Sequence, residues 1–234
     1  MNQQLLLEII PAPVPRLENT VVGVNSAAID AAKTLSAGHA LYIWGVAGSG
    51  KTHLMKAMTY GKTARFCDQN TSAQTMFDLA TQGLNTQNHC ELVLIDNIHD
   101  MDSAQQAAVF ALYNHWREVA STSAAFALVV SGDRAPLAMD LREDLRTRLG
   151  WDLVFRLDPL SDEDKLSALE TYAQQIGLPL SSEVLQWMFT HYARDIRQLF
   201  ALVDALDRYS LSKHRTITVP LLRAMLSDRD FLQS

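Results

Sequence analysis

The sequence predicts an α/β domain with a parallel sheet, followed by a small all-α domain. Three observations predict it. Short apolar runs rich in β-branched and aromatic residues alternate with helical patterns up to Asp158. A Gly-x-x-x-x-Gly-Lys-Thr motif, residues 45–52, lies between one such run and a helix. Beyond Asp158-Pro159 the texture is helical only.

The elements follow in chain order. Residues 1–10 form a short apolar tail, and Pro11, Pro13 and Pro15 make an extended linker behind it. A helical stretch covers 25–36. Residues 41–44 read as a buried strand ending at Gly45, and a helix runs from 50 to about 60. Further strands are expected at 64–67, 92–95, 125–130 and 153–155, with helical patterns at 71–82 and 104–120. Strands that alternate with helices imply crossover connections and a parallel sheet. In the last part, Ser161 caps a helix to about 175 with acids in its first turn. A second helix starts at Ser181 or Ser182 and a third covers 194–210, where Ile196, Leu199, Val203 and Leu206 form one buried stripe. Pro220 sits near the first turn of a last helix. The expected domains are a tail and linker at 1–16, the α/β domain at 17–158 and the helical domain at 159–234.

Composition narrows the function. The chain has 234 residues, 48% of them hydrophobic, and carries 20 basic against 26 acidic side chains for a net charge of −6. Such a chain buries a real core, and its acidic balance argues against gripping nucleic acid by bulk electrostatics. The longest wholly apolar run is 124–130, far short of the roughly 20 residues of a membrane-spanning helix. The N-terminus lacks the positive charge of a secretory signal. Cys67 and Cys90 are too few for a disulfide framework or a four-ligand zinc site, and the seven histidines are scattered without ligand spacing. A reduced, cytoplasmic location is expected.

The glycine motif carries the chemistry. Gly45, Gly48 and Gly50 let the backbone curl so that successive N–H groups, including those of Ala47 and Ser49, point at phosphate oxygens. The following helix adds its dipole, Lys51 reaches the terminal phosphates, and the Thr52 hydroxyl suits Mg²⁺, with His53 next in line. Asp96 ends the 92–95 strand, 44 residues after Thr52, where a carboxylate either stands beside the magnesium ion or merely caps a turn. Asn97 follows it. An asparagine is neutral and cannot act as a general base, so weak intrinsic ATP hydrolysis is expected.

On these residues the sequence resembles the AAA+ ATPases, and within them the replication initiator DnaA. Residues 17–25 look like the stretch that flanks the adenine, with Val21 and Val22 against the base. The 131–136 segment resembles sensor 1, with Asp133 in the sensing place. The 146–151 segment resembles the arginine-finger segment, with Arg148 as the finger; on composition alone it reads as a solvated basic face. The 194–199 segment resembles sensor 2, with Arg197 as the sensor or, alternatively, a salt-bridging residue. Leu160 falls at the lid entrance. The fold implied is a P-loop AAA+ parallel sheet flanked by helices, followed by a small all-α lid.

No stretch resembles DnaA's DNA-binding or helicase-interaction domains. In their place Gln4-Leu5-Leu6-Leu7-Glu8-Ile9 resembles the peptide by which the Hda family, short DnaA homologues, docks on the DNA polymerase sliding clamp (β subunit). The Ile95-Asp96-Asn97 ending and the 158–166 run also match that family. In an extended peptide Leu5, Leu7 and Ile9 point to one side, and Gln4 both donates and accepts hydrogen bonds. The other reading is an edge strand or a tail packed on its own core, and Glu8 stands where such peptides often carry proline. The resemblance implies a protein that holds ADP or ATP with Mg²⁺, docks on the loaded clamp, touches DNA mostly indirectly and offers Arg148 in trans to ATP-bound DnaA, inactivating it. A homodimer is compatible with this. The alternatives are a helicase loader or DNA-remodelling ATPase that consumes its own ATP, and a small-molecule kinase.

Overall fold

The computed structural model describes residues 14–81, 90–178, 180–192 and 195–228. The chain divides into two compact units, one covering Pro15–Pro159 and one starting at Leu160.

In the first unit five parallel strands form one sheet: β1 (Ala40–Trp44), β2 (Ala64–Cys67), β3 (Leu92–Ile95), β4 (Ala127–Gly132) and β5 (Leu153–Arg156). Their order is β2-β3-β4-β1-β5. Helix α1 (Ser26–Thr34) precedes β1, and α2 (Lys51–Met58), α3 (Ala73–Thr81), α4 (Ser103–Val119) and α5 (Glu143–Leu149) lie between successive strands. Period-2 alternation sends neighbouring strand residues to opposite faces. Tyr42, Val93, Ile95, Leu128 and Val130 accordingly pack with Met76, Leu112, Trp116, Leu145 and Leu149. Leu41, Ile43, Leu92, Leu94 and Val129 face Ile29, Leu54, Met55 and Met58 in a second core. Both faces are covered, which is why the central strands read as continuous apolar runs.

Strand and helix positions agree with the sequence reading to within a few residues, with instructive exceptions. β4 starts at Ala127 rather than 125, because the Ala125 N–H is used in a turn to the Thr122 carbonyl. α2 ends at Met58, short of 60, ahead of Gly61 with φ +71°. α5 is a helix that periodicity missed. It has only seven residues, of which Leu145 and Leu149 are the buried pair, one turn apart. Glu143 and Asp144 in its first turn and Arg146 and Arg148 in its last complement its dipole.

The second unit holds α6 (Asp162–Gln175), α7 (Ser182–His191), α8 (Ile196–Lys213) and α9 (Val219–Ser227). α8 starts at Ile196, two residues later than expected, with Asp195 as its N-cap accepting the Arg197 N–H. Leu199, Val203 and Leu206 are buried as the stripe requires, together with Leu169, Met188 and Leu222, and Ile196 packs at the margin. Ser161 Oγ accepts the Asp164 N–H at 3.0 Å, capping α6. No helix of the described residues is long and apolar enough to cross a membrane.

Candidate functional site

The loop between β1 and α2 begins with Gly45. A Cβ there would lie 2.2 Å from the Leu157 carbonyl oxygen and 2.9 Å from Ser49 Oγ, so only glycine fits. Gly48 (φ +79°) and Gly50 (φ +94°) occupy the left-handed region, and α2 starts directly after them. Lys51 is 7% exposed. Its ammonium donates to the Gly45 carbonyl at 2.6 Å and the Val46 carbonyl at 3.1 Å. Burial lowers its pKa, while the negative charges of Asp96 and Asp133 oppose that shift. Ser49 Oγ is buried without a hydrogen-bond partner among the described residues. A curled loop with a sheltered cation and an unsatisfied buried hydroxyl at a helix N-terminus is a cradle for phosphate oxygens. His53 is partly buried on α2, and Ala47 is exposed on the loop. Val21 is half-buried and Val22 exposed in the segment before α1, where the Asn25 N–H closes a turn onto the Val22 carbonyl.

Asp96 leaves the end of β3 and is 4% exposed. Its Oδ2 accepts the Thr52 hydroxyl at 2.7 Å, across the 44-residue separation, and its Oδ1 accepts the Ser131 hydroxyl at 2.6 Å. Ser131 Oγ in turn accepts the Asn97 N–H at 2.8 Å. Asp96 is thus a fixed carboxylate beside Thr52, not a turn cap. Asn97 itself has φ +52°, a conformation asparagine tolerates better than most residues. Among the described residues no group of three or more histidine, cysteine, aspartate or glutamate side chains forms a metal cage. One hydroxyl and one carboxylate fit Mg²⁺, which keeps several waters and takes further oxygens from phosphates.

β4 ends at Gly132, where a Cβ would meet the Tyr42 hydroxyl at 2.0 Å. That hydroxyl donates to the Arg134 carbonyl at 2.7 Å and anchors the loop carrying Asp133. Burial pushes the Tyr42 pKa well up. Asp133 pairs with Arg134 at 3.1 Å. Lys51, Thr52, Asp96 and Asp133 therefore gather at the C-terminal ends of β1, β3 and β4.

Arg148 belongs to a second group. From α5 its guanidinium lies 3.8 Å from the Phe110 ring centroid and 4.9 Å from that of Trp151. Its Nη1 donates to Asn114 Oδ1 at 2.6 Å. Phe110 and Asn114 stand one turn apart on α4. The side chain opens on a groove lined by Arg142, Glu143, Asp144, Thr147 and Trp151.

Leu160 and Arg197 lie in the second unit. Arg197 forms a two-point pair with Asp195, Nη2 to Oδ2 at 2.7 Å and Nε to Oδ1 at 3.2 Å, which holds the carboxyl below and the guanidinium above their usual ranges. Gln4, Leu5, Leu7 and Ile9 lie outside the described residues. Sequence reasoning missed Ser131, Tyr42, Phe110, Asn114 and Trp151. No local pattern marks Ser131, Tyr42, Phe110 and Asn114, because each acts on a residue distant in sequence; Trp151 lies three residues from Arg148, but nothing in the residue order pairs their side chains.

A model of the bacterial DnaA ATPase domain matches residues 16–156, and a model of the Hda lid domain matches 162–226. A Haemophilus influenzae protein of no assigned function is 31% identical over 97% of this chain and 100% of its own length. Among solved structures, domain III of the Thermotoga maritima initiator DnaA superposes with a TM-score of 0.63 at 21% identity, covering 96% of this chain and 100% of that one. AMPPCP-bound DnaA from Aquifex aeolicus gives 0.60 at 19%, over 86% and 67%. The Thermotoga maritima Holliday junction motor RuvB gives 0.60 at 17%, over 97% and 75%. The fold is that of an AAA+ domain with a C-terminal helical lid.

Proposed function

Because this chain belongs to the bacterial DnaA ATPase-domain family and also matches the Hda lid, we propose that it is a nucleotide-bound regulator of replication initiation. It docks on the DNA-loaded sliding clamp through Gln4, Leu5, Leu7 and Ile9 and stimulates ATP hydrolysis by DnaA with Arg148. The observation that carries the reading is the Arg148 seat. A guanidinium stacked on Phe110 and tied to Asn114 at the edge of an open groove is oriented before any partner arrives. Placed on a neighbour's terminal phosphate, such a group stabilises the charge of the transition state.

The chain's own nucleotide, ADP or ATP, would be held by the 45–52 loop with Val21 and Val22 near the base and His53 on the helix behind. Thr52 and Asp96 would hold Mg²⁺, which supplies charge neutralisation between phosphate oxygens. Asp133, Leu160 and Arg197 would report the phosphate state. With Asn97 in place of a second acid, this bound nucleotide turns over slowly and serves structure and regulation.

The test is hydrolysis of DnaA-bound ATP in a reconstituted reaction with and without clamp loaded on DNA. Arg148→Ala lowers the stimulated rate by about 10³ or more while the bound nucleotide is retained. Gln4→Ala with Leu5→Ala removes the clamp dependence and clamp pull-down. Full stimulation by Arg148→Ala, or robust ATP turnover by the isolated protein, favours the helicase-loader reading instead.

A further inference from the structure

Among the described residues four arginines are neutralised by a carboxylate. Arg134, Arg142, Arg156 and Arg197 each pair with an aspartate at 3.1 Å or less. Arg117 and Arg148, like Arg16 and Arg223, lie over an aromatic ring instead. Among the described residues neither forms an ion pair, and both sit over the same indole, Arg117 at 4.4 Å and Arg148 at 4.9 Å from the Trp151 ring centroid.

An aromatic face attracts a guanidinium through its quadrupole, yet leaves the cation's net charge and its edge N–H groups available to an anion. A carboxylate partner would cancel that charge. Trp151 is 40% exposed, a large apolar surface that folding alone does not require. It also joins two elements. Its backbone N–H donates to the Arg148 carbonyl at 3.1 Å at the end of α5, while Arg117 reaches its ring from the last turn of α4.

We infer that Trp151 is a positioning residue for the Arg148 finger, with Arg117 as the brace that fixes the indole. This rests on the trans-finger reading. Phe110 and Trp151 set the plane of the Arg148 guanidinium, and Asn114 sets its rotation in that plane. The N–H edges left over face the groove, ready for phosphate oxygens. The Arg117 charge, uncancelled, raises the positive potential at the same place and draws in the partner's polyphosphate. Without the indole, Arg148 keeps its reach and loses its fixed direction.

The experiment compares Trp151→Ala, Trp151→Phe and Arg117→Ala with the native protein and Arg148→Ala. Each is titrated into the clamp-dependent hydrolysis of DnaA-bound ATP. Trp151→Ala lowers the maximal stimulated rate roughly three- to thirty-fold, with the half-saturating concentration changed by less than about twofold. Trp151→Phe, which keeps a π face, recovers most of the rate, and Arg117→Ala gives a smaller loss than Trp151→Ala. The Arg148 Nε–Hε resonance, displaced by the indole ring current in the native protein, moves in Trp151→Ala and stays nearer its native position in Trp151→Phe. An unchanged maximal rate or an unmoved Arg148 resonance in Trp151→Ala overturns the inference. So does a loss that appears only as a raised half-saturating concentration. If Arg148→Ala is inactive while Trp151→Ala is fully active, the finger reading stands and this inference falls. If Arg148→Ala still stimulates, the finger reading itself falls.

Discussion

The Ser131 hydroxyl donates to Asp96 Oδ1 at 2.6 Å while accepting the Asn97 N–H at 2.8 Å, so one small side chain on β4 locks the end of β3 from both sides. Ser131 is wholly buried and Asp96 nearly so, which shelters these bonds from bulk solvent. The carboxylate that faces Thr52 is therefore set by the neighbouring strand.

Ser131→Ala leaves the Asn97 N–H and one Asp96 oxygen without that partner. The expected loss is about 1–3 kcal/mol, read as a lower Tm or denaturant midpoint. Nucleotide binding weakens more in Mg²⁺ than in EDTA, because the Asp96 carboxylate is no longer held toward Thr52. An equal effect in both media refutes a link between Ser131 and the metal.

Asn97 separates two properties at one position. With φ at +52°, Asn97→Ala strains the backbone and costs roughly 1 kcal/mol, whereas Asn97→Gly relieves the strain. Asn97→Asp supplies a carboxylate in the same conformation, and intrinsic ATP turnover rises about tenfold or more. Phosphate release by the isolated protein measures the effect, and an unchanged rate shows that something besides the missing acid limits hydrolysis.

The close approach of Gly132 to Tyr42 makes a double-mutant test. Gly132→Ala forces a Cβ onto the Tyr42 hydroxyl and destabilises the protein by about 1–3 kcal/mol. Tyr42→Phe removes the obstructing oxygen and also the bond to the Arg134 carbonyl. The double variant should be less damaged than the two single losses added together, by roughly 0.5 kcal/mol or more. Strict additivity in equilibrium denaturation refutes the contact.

Much of this could be read from residue order. The 45–52 motif announces a phosphate cradle because curled backbone, helix dipole and lysine are all local to it. Asp96 follows from a strand that ends in an acid, and the helical lid from its caps and buried stripe. The Arg148 seat could not be read in this way. Phe110 and Asn114 are over thirty residues away, and only the packing of α4 on α5 brings them to the guanidinium. The same holds for Ser131, which looks like any strand-end serine until β4 is laid beside β3. α5 escaped notice because two leucines in seven residues carry too little periodicity to distinguish a helix from a loop.

The two cysteines give a chemical check on the core. Cys67 is 3% exposed and Cys90 1%, and burial is the main cause that pushes the Cys67 thiol up to about 11 and raises that of Cys90. The thiolate is the reactive form, so neither is expected to react with a thiol reagent at pH 8 in the native protein. Both become titratable on denaturation. A fast-reacting thiol in the native state contradicts the burial of Cys67 on β2 or of Cys90.

β4 is bonded to β3 on one side and β1 on the other, with all six residues buried, whereas β2 and β5 are edges. Opening under native conditions therefore begins at the edges, and the amide hydrogens of Val129 and Val130 are the last to exchange with solvent. Within the first unit, α5 leads into an edge strand and the phosphate loop follows an inner one. On the proposed reading, partial unfolding releases the arginine before the nucleotide, so a mildly denatured molecule would keep its ligand after losing its effect on a partner.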